Sequence, residues 1–165
     1  MINLIYPDAY ASSVYDIDYG GLKAGGIVNL LFDVDNTLAA VREALPTAEL
    51  KSLFASLTNE GFRVCLLSNG GAQRVKLFAS ELGASYVAKS KKPAFKGLRL
   101  ALSMLDAKHS DTAIIGDQLF TDVLCGRRAR INAILVKPIS TDEQWYIKLK
   151  RVLEMPLLAA YMRKR

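Results

Sequence analysis

From Gly26 onward, short apolar runs alternate with stretches of three- and four-residue periodicity. IVNLLFD (27–33) is continuous, apolar and ends in a carboxylate, the pattern of a strand buried on both faces. FRVCLLS (62–68), TAIIGD (112–117) and INAILVKP (131–138) read the same way, and SYVAK (85–89) is a shorter strand. Between them, PTAELKSLFASLTNEG (46–61) puts Leu50, Leu53, Phe54 and Leu57 on one helical face and stops at Gly61. GAQRVKLFASELG (71–83) does so with Val75, Phe78, Ala79 and Leu82, and stops at Gly83. PAFKGLRLALSMLD (93–106) opens with a proline, which suits a first helical turn, and LFTDVLCGRRAR (119–130) is the last helix of the series. This order predicts an α/β fold in three layers, with a mostly parallel five-stranded sheet covered on both faces. Residues 1–25 form an N-terminal extension and 140–165 a basic helical segment, within a single domain spanning 1–165.

An open parallel sheet binds its ligands beyond the carboxyl ends of its strands. Asp33, Ser68 and Asp117 close three separate predicted strands, so all three should gather at one edge. DVDNT (33–37) offers two carboxylates two residues apart. Asp33 can attack phosphorus while touching a metal ion, and Asp35 can act first as proton donor and then as base. The same residue types also make ordinary polar turns. LLSNGG (66–71) brings a hydroxyl and backbone amides to the start of a helix, where a phosphate or a simple N-cap would both fit. KSKKP (89–93) supplies a cation from Lys89, Lys91 or Lys92. In GDQLFTD (116–122), Asp117 is placed to hold Mg²⁺. Asp122 can orient a lysine or a metal-bound water, and the helix dipole alone would also favour it there.

Composition narrows the picture. Half of the chain, 51%, is apolar and 23% is charged, which supports a buried core and excludes general disorder. The net charge of +6 and pI of about 9.4 favour anionic partners. Much of the excess sits in KLKR (148–151) and RKR (163–165). A single histidine, His109, rules against a zinc site or a Ser-His-Asp triad, and its polar surroundings predict a loop. Cys65 and Cys125 fall in apolar contexts that predict buried thiols. The N-terminus lacks a secretory pattern and no run approaches the roughly 20 apolar residues of a membrane span, so a cytoplasmic setting is expected.

Asp-x-Asp, then serine, then lysine, then Gly-Asp with a further Asp resembles the four motifs of the haloacid dehalogenase superfamily. The opening LIYPDAYASSVYDIDYGGLKAGGIVNLLFDVDNTL, together with KKP, GDQLFTD and the segment around Trp145 to Glu154, resembles the YqeG-like phosphatases of subfamily IIIA. That subfamily is similar to the phosphatidylglycerophosphate phosphatases of mitochondria and plastids. The resemblance implies a Rossmann-like fold, Mg²⁺, Asp33 as nucleophile and Asp35 as acid and base. It implies metal binding by Asp33, the Asp35 carbonyl and Asp117. It also implies phosphate binding by Ser68, Asn69 and Lys92, with Thr37 and Asp122 in support, and selects Lys92 among the three lysines.

Family members often carry a cap domain between the first and second or second and third motifs. Here a loop and a helix fill the interval from Asp33 to Ser68, and a helix and a strand fill that from Ser68 to Lys92. The site is therefore expected to be capless and open, which suits a phosphate carried on a large body. Phosphatidylglycerophosphate at an anionic membrane surface is one such substrate. A soluble sugar phosphate, nucleotide or phosphoprotein is the alternative, followed by a phospho-accepting switch domain and an inert binding module; nucleic acid is not an expected partner. In DEQWYIKLKRVLEMP, Trp145, Leu149, Val152 and Pro156 share a helical face beside basic residues. Such a helix can lie on an anionic membrane, but packing of that face onto the domain is the expectation here, with Pro156 ending or kinking the helix. Tyr6, Tyr10, Tyr15 and Tyr19 are expected to cover the sheet's edge.

Overall fold

The computed structural model describes residues 4–140 and 145–163. Its elements are β1 (Ala9–Ala11), α1 (Tyr19–Ala24), β2 (Asn29–Phe32), α2 (Ala48–Asn59), β3 (Arg63–Leu67), α3 (Ala72–Leu82), β4 (Ser85–Val87), α4 (Phe95–Met104), β5 (Thr112–Gly116), α5 (Leu124–Arg128), β6 (Asn132–Val136) and α6 (Trp145–Met162).

Alternate residues of β2 serve two separate cores. Leu30 and Phe32 pack with Leu50, Phe54, Leu57, Val75 and Phe78 on one side, while Leu31 packs with Cys65, Leu98, Ala101 and Leu119 on the other. A strand with an apolar partner on each face reads as a continuous hydrophobic run. The two cores lie on opposite faces of one sheet, the three-layer arrangement expected. Helix α2 starts at Thr47, whose hydroxyl accepts from the Leu50 amide (3.1 Å), and Gly61 follows it with φ +90°.

The sheet is wholly parallel, in the order β1-β6-β5-β2-β3-β4. It has six strands rather than five. The N-terminal extension does not merely cover the edge but lengthens the sheet: Ala9–Ala11 pairs with Ile134–Val136. The Asp8 amide donates to the Ala133 carbonyl and the Asp8 carboxylate accepts from the Ala133 amide, each at 2.8 Å. Of the tyrosines, Tyr19 is buried in the first core, Tyr10 packs against the second, and Tyr15 is exposed. The free cysteines are both buried, and His109 lies exposed in a short turn.

One expectation for the C-terminal segment, packing of its Trp145 face onto the domain, is corrected. Helix α6 runs through Pro156 without ending there. Its Trp145–Leu149–Val152–Pro156 face points to solvent, and the helix packs instead through Glu154, Leu157, Leu158 and Tyr161. Periodicity detects a stripe, but not which stripe a neighbouring surface will accept. Asp142 to Gln144 and the last two basic residues lie outside the described residues.

Candidate active site

The strands β2, β3 and β5 end at Phe32, Leu67 and Gly116, one residue earlier than predicted. Asp33, Ser68 and Asp117 are therefore the first loop residues at the same edge of the sheet. β2 and β5 are neighbours, and the chain leaves them in opposite directions, so Asp33 and Asp117 flank the point where the connections diverge.

Asp33 is anchored by its amide, which donates to the Ile115 carbonyl of β5 (2.9 Å). Its Oδ1 accepts from Lys92 Nζ at 2.7 Å, and the same Nζ stands 2.6 Å from Asp122 Oδ1. All three side chains are buried. Lys89 and Lys91 are exposed, so the structure separates the three lysines by burial and contact.

The turn carrying Lys92 is held by Asn69. Its Oδ1 accepts from Ser90 Oγ and the Lys92 amide, both at 2.8 Å, and its Nδ2 donates to the Lys92 carbonyl at 3.1 Å. The Asn69 side chain is thus engaged in positioning the lysine, and its backbone N–H is the group it can offer a phosphate. Ser68 is fully buried and its Oγ accepts from the Gly70 amide (2.9 Å). A Cβ on Gly70 would lie 2.8 Å from Asp35 Oδ2 and 3.1 Å from Ser68 Oγ, so the missing side chain leaves room for both.

Thr37 donates to Asp117 Oδ1 at 3.0 Å. Asp117 Oδ2 and the Asp117 carbonyl both accept from Arg151 of α6. Asp35 is half-buried and paired with Arg74, which also donates to the Ala40 and Glu43 carbonyls and so pins the loop after β2. Arg74, Arg151 and Glu154 escaped the sequence reading. Arg151 sits in a basic run that looks like solvated surface, and no local spacing ties it to a residue 34 positions away.

Asp122 belongs to the wide π-helical turn Leu119–Val123 that precedes α5. Its Oδ2 accepts from the Gln118 amide (3.1 Å) and from Thr121 Oγ1 (3.2 Å). Glu154 holds the same turn from outside: its Oε1 accepts from the Phe120 amide at 2.9 Å.

Carboxylates outnumber cations here. Burial pushes the Asp33 pKa up to about 8 against the pull of Lys92, with Asp122 and Asp117 adding to the rise. Asp117 is pushed up to about 6 by burial, opposed by Arg151. Burial acts downward on Lys92, but Asp122 and Asp33 outweigh it and hold the ammonium above its ordinary range. The lysine stays charged, and the surplus negative charge falls on the carboxyls. Asp33, Asp117 and Asp122 offer oxygens that all lie within 4.8 Å of one another. An all-oxygen, negatively charged donor set of this size fits a divalent cation.

Residues 19–130 match the family model "haloacid dehalogenase-like hydrolase". The chain is 33% identical over 158 residues to the "Probable phosphatase YqeG" of Bacillus subtilis, covering 96% of this chain and 92% of that protein. It is 26% identical over 171 residues to the chloroplastic/mitochondrial phosphatidylglycerophosphate phosphatase 1 of Arabidopsis thaliana, covering 97% of this chain but only 49% of the plant protein. Among solved structures, the cobalt-bound deoxy-D-mannose-octulosonate 8-phosphate phosphatase of Haemophilus influenzae superposes with a TM-score of 0.55 at 16% identity. That match covers 84% of this chain and 91% of the other, and shows a shared fold.

Proposed function

Because this chain belongs to the haloacid dehalogenase-like hydrolases and is one of that family's phosphatases, we propose that it cleaves a phosphomonoester through an aspartyl-phosphate on Asp33, with Mg²⁺ as its metal ion. The convergence of Asp33, Asp117, Asp122 and Lys92 at one sheet edge carries this function. Lys92 holds Asp33 Oδ1, so the other carboxylate oxygen is the one to attack phosphorus in line. The bond from phosphorus to the alcohol oxygen breaks, and Asp35 gives that oxygen a proton. Asp35, now a carboxylate, then takes a proton from water. The water oxygen bonds to phosphorus, the bond to Asp33 breaks, and inorganic phosphate leaves.

A carboxylate approaching a phosphate dianion meets strong repulsion. Mg²⁺ held by Asp33, the Asp35 carbonyl and Asp117 would supply charge neutralisation for the phosphoryl oxygens. Lys92, the Ser68 hydroxyl and the Asn69 N–H supply the rest. Thr37 and Arg151 orient Asp117, and Asp122 orients Lys92.

The proposed substrate is phosphatidylglycerophosphate. Two observations support it: the name of the plant relative, and the short connections from Asp33 to Ser68 and from Ser68 to Lys92, which leave the site uncapped. The proposed setting is the cytoplasmic face of a membrane, with residues 1–165 acting as one domain.

Phosphate release from phosphatidylglycerophosphate vesicles and from a soluble phosphomonoester panel, with Mg²⁺ or EDTA, tests this. Turnover should need the metal and vanish in Asp33→Asn with the fold retained; an active Asp33→Asn enzyme removes the covalent route. Rapid sugar-phosphate hydrolysis without vesicle turnover ends the lipid assignment. Lys92→Ala should lower kcat by about 10²–10³-fold. A larger loss in Lys89→Ala or Lys91→Ala would overturn the choice of lysine.

A further inference from the structure

Helix α6 has two faces with different tasks. Its inner face is fully employed: Arg151 holds Asp117, Glu154 holds the Phe120 amide, Leu157 and Leu158 join the second core, and the Tyr161 ring meets that of Tyr6 in a tilted pair, 5.7 Å between centroids. Its outer face is apolar. Of the nine exposed residues between Trp145 and Met162 whose side chains are described, eight are apolar and the ninth is Lys148. Trp145, Leu149, Val152 and Pro156 form the centre of this stripe, with Leu153 and Met155 beside it; Trp145 is 77% exposed and Val152 61%. An apolar stripe of this length on a soluble face marks an interaction surface.

We propose that the outer face of α6 docks on an anionic phospholipid bilayer and so holds the active-site mouth against the membrane. The proposal rests on the lipid-substrate reading above and gives that substrate its route to the site. Charge selects the occupant. Among the described residues the exposed arc carries Lys148 and no acidic residue, Arg163 follows at the helix end, and the whole chain bears +6. A second copy of this face would bring like charge to like charge, whereas anionic headgroups complement it. No described helix is long and apolar enough to cross a membrane, so α6 lies along the surface rather than through it. Tryptophan suits the headgroup level.

Position links docking to chemistry. The helix that would touch lipid is the one whose Arg151 grips Asp117. The rim of the catalytic loop is also apolar and open: Ile139, whose amide donates to the Asn36 carbonyl, is 53% exposed, as is Leu45.

Trp145 is the sole tryptophan, so its fluorescence reports on this face alone. The full chain is titrated with phosphatidylcholine vesicles and with phosphatidylcholine–phosphatidylglycerol vesicles, and binding is followed by emission and co-sedimentation. The expected result is a blue shift and sedimentation with the anionic vesicles only. The double variant Leu149→Asp/Val152→Asp should lower the bound fraction at least tenfold, and Lys148→Glu should weaken it. Hydrolysis of p-nitrophenyl phosphate should be unchanged in all of them, which confirms an intact site. Absence of a shift with anionic vesicles overturns the proposal. So does a concentration-dependent blue shift without lipid accompanied by a dimer on sedimentation, because that assigns the face to a second copy. The vesicles contain no phosphomonoester, so docking can succeed where lipid turnover fails, and the two readings stand or fall separately.

Discussion

A Cβ at position 116 would stand 2.3 Å from Asp122 Cγ, and one at position 97 would stand 2.6 Å from Ser90 Cβ. Both glycines owe their place to close approach: Gly116 lets Asp122 reach Lys92, and Gly97 lets the turn before α4 carry Lys92 inward. Overpacking of this kind costs about 1–3 kcal/mol and moves the atoms in contact. Gly116→Ala is therefore expected to lower the midpoint of chemical unfolding and to reduce kcat by more than its stability loss explains. Steady-state kinetics at a temperature where the variant remains folded checks this; normal kcat would show that Asp122 does not need its present position. The lysines make the same point about geometry. Three stand within four positions, two in exposed left-handed conformations, and only Lys92 enters the core. Their identical chemistry hides a difference that burial exposes.

At the scale of elements, the π-helical turn Leu119–Val123 and α6 work as a pair. The turn aims Asp122 inward, and α6 clamps the turn through Glu154 and Asp117 through Arg151. Removing the Glu154 carboxylate would leave the Phe120 amide without its acceptor. Glu154→Ala is expected to cost about 1–3 kcal/mol in denaturant unfolding, and to loosen Asp122 enough to depress turnover. Glu154→Gln, which keeps an acceptor oxygen, should recover most of both. Failure of the glutamine to rescue would mean that the negative charge matters rather than the hydrogen bond.

At the scale of the whole molecule, charge governs stability. Folded-state pKa values stand above the ordinary carboxylate range at Asp33 (about 8), Glu154 (about 7) and Asp117 (about 6), each raised chiefly by burial. Such groups keep a proton in the folded state that the unfolded chain has already lost. The metal-free protein should therefore lose stability as pH rises from about 4 to about 8. A divalent cation favours the ionised carboxylates and should reverse that trend. Thermal unfolding at pH 5 and pH 8, with EDTA or Mg²⁺, reads both effects: Tm should be lower at pH 8 in EDTA and recover with the metal. A flat Tm with no response to Mg²⁺ would contradict a metal site at Asp33, Asp117 and Asp122.

Much of this protein is legible along the chain because buried parallel strands and amphipathic helices write their own periodicity. Leu30, Phe32, Leu50, Phe54, Val75 and Phe78 are readable as core before any coordinates, and the strand-end positions of Asp33, Ser68 and Asp117 follow from the same runs. Edge strand β1 is not legible, since Ala-Tyr-Ala has no strand signal of its own and becomes a strand by pairing with β6. Arg151, Glu154 and the outward turn of the Trp145 face are decided only in three dimensions. Local periodicity arises from the backbone's own repeat, whereas the partner of a charge and the side of a helix that meets solvent depend on surfaces brought together from distant parts of the chain.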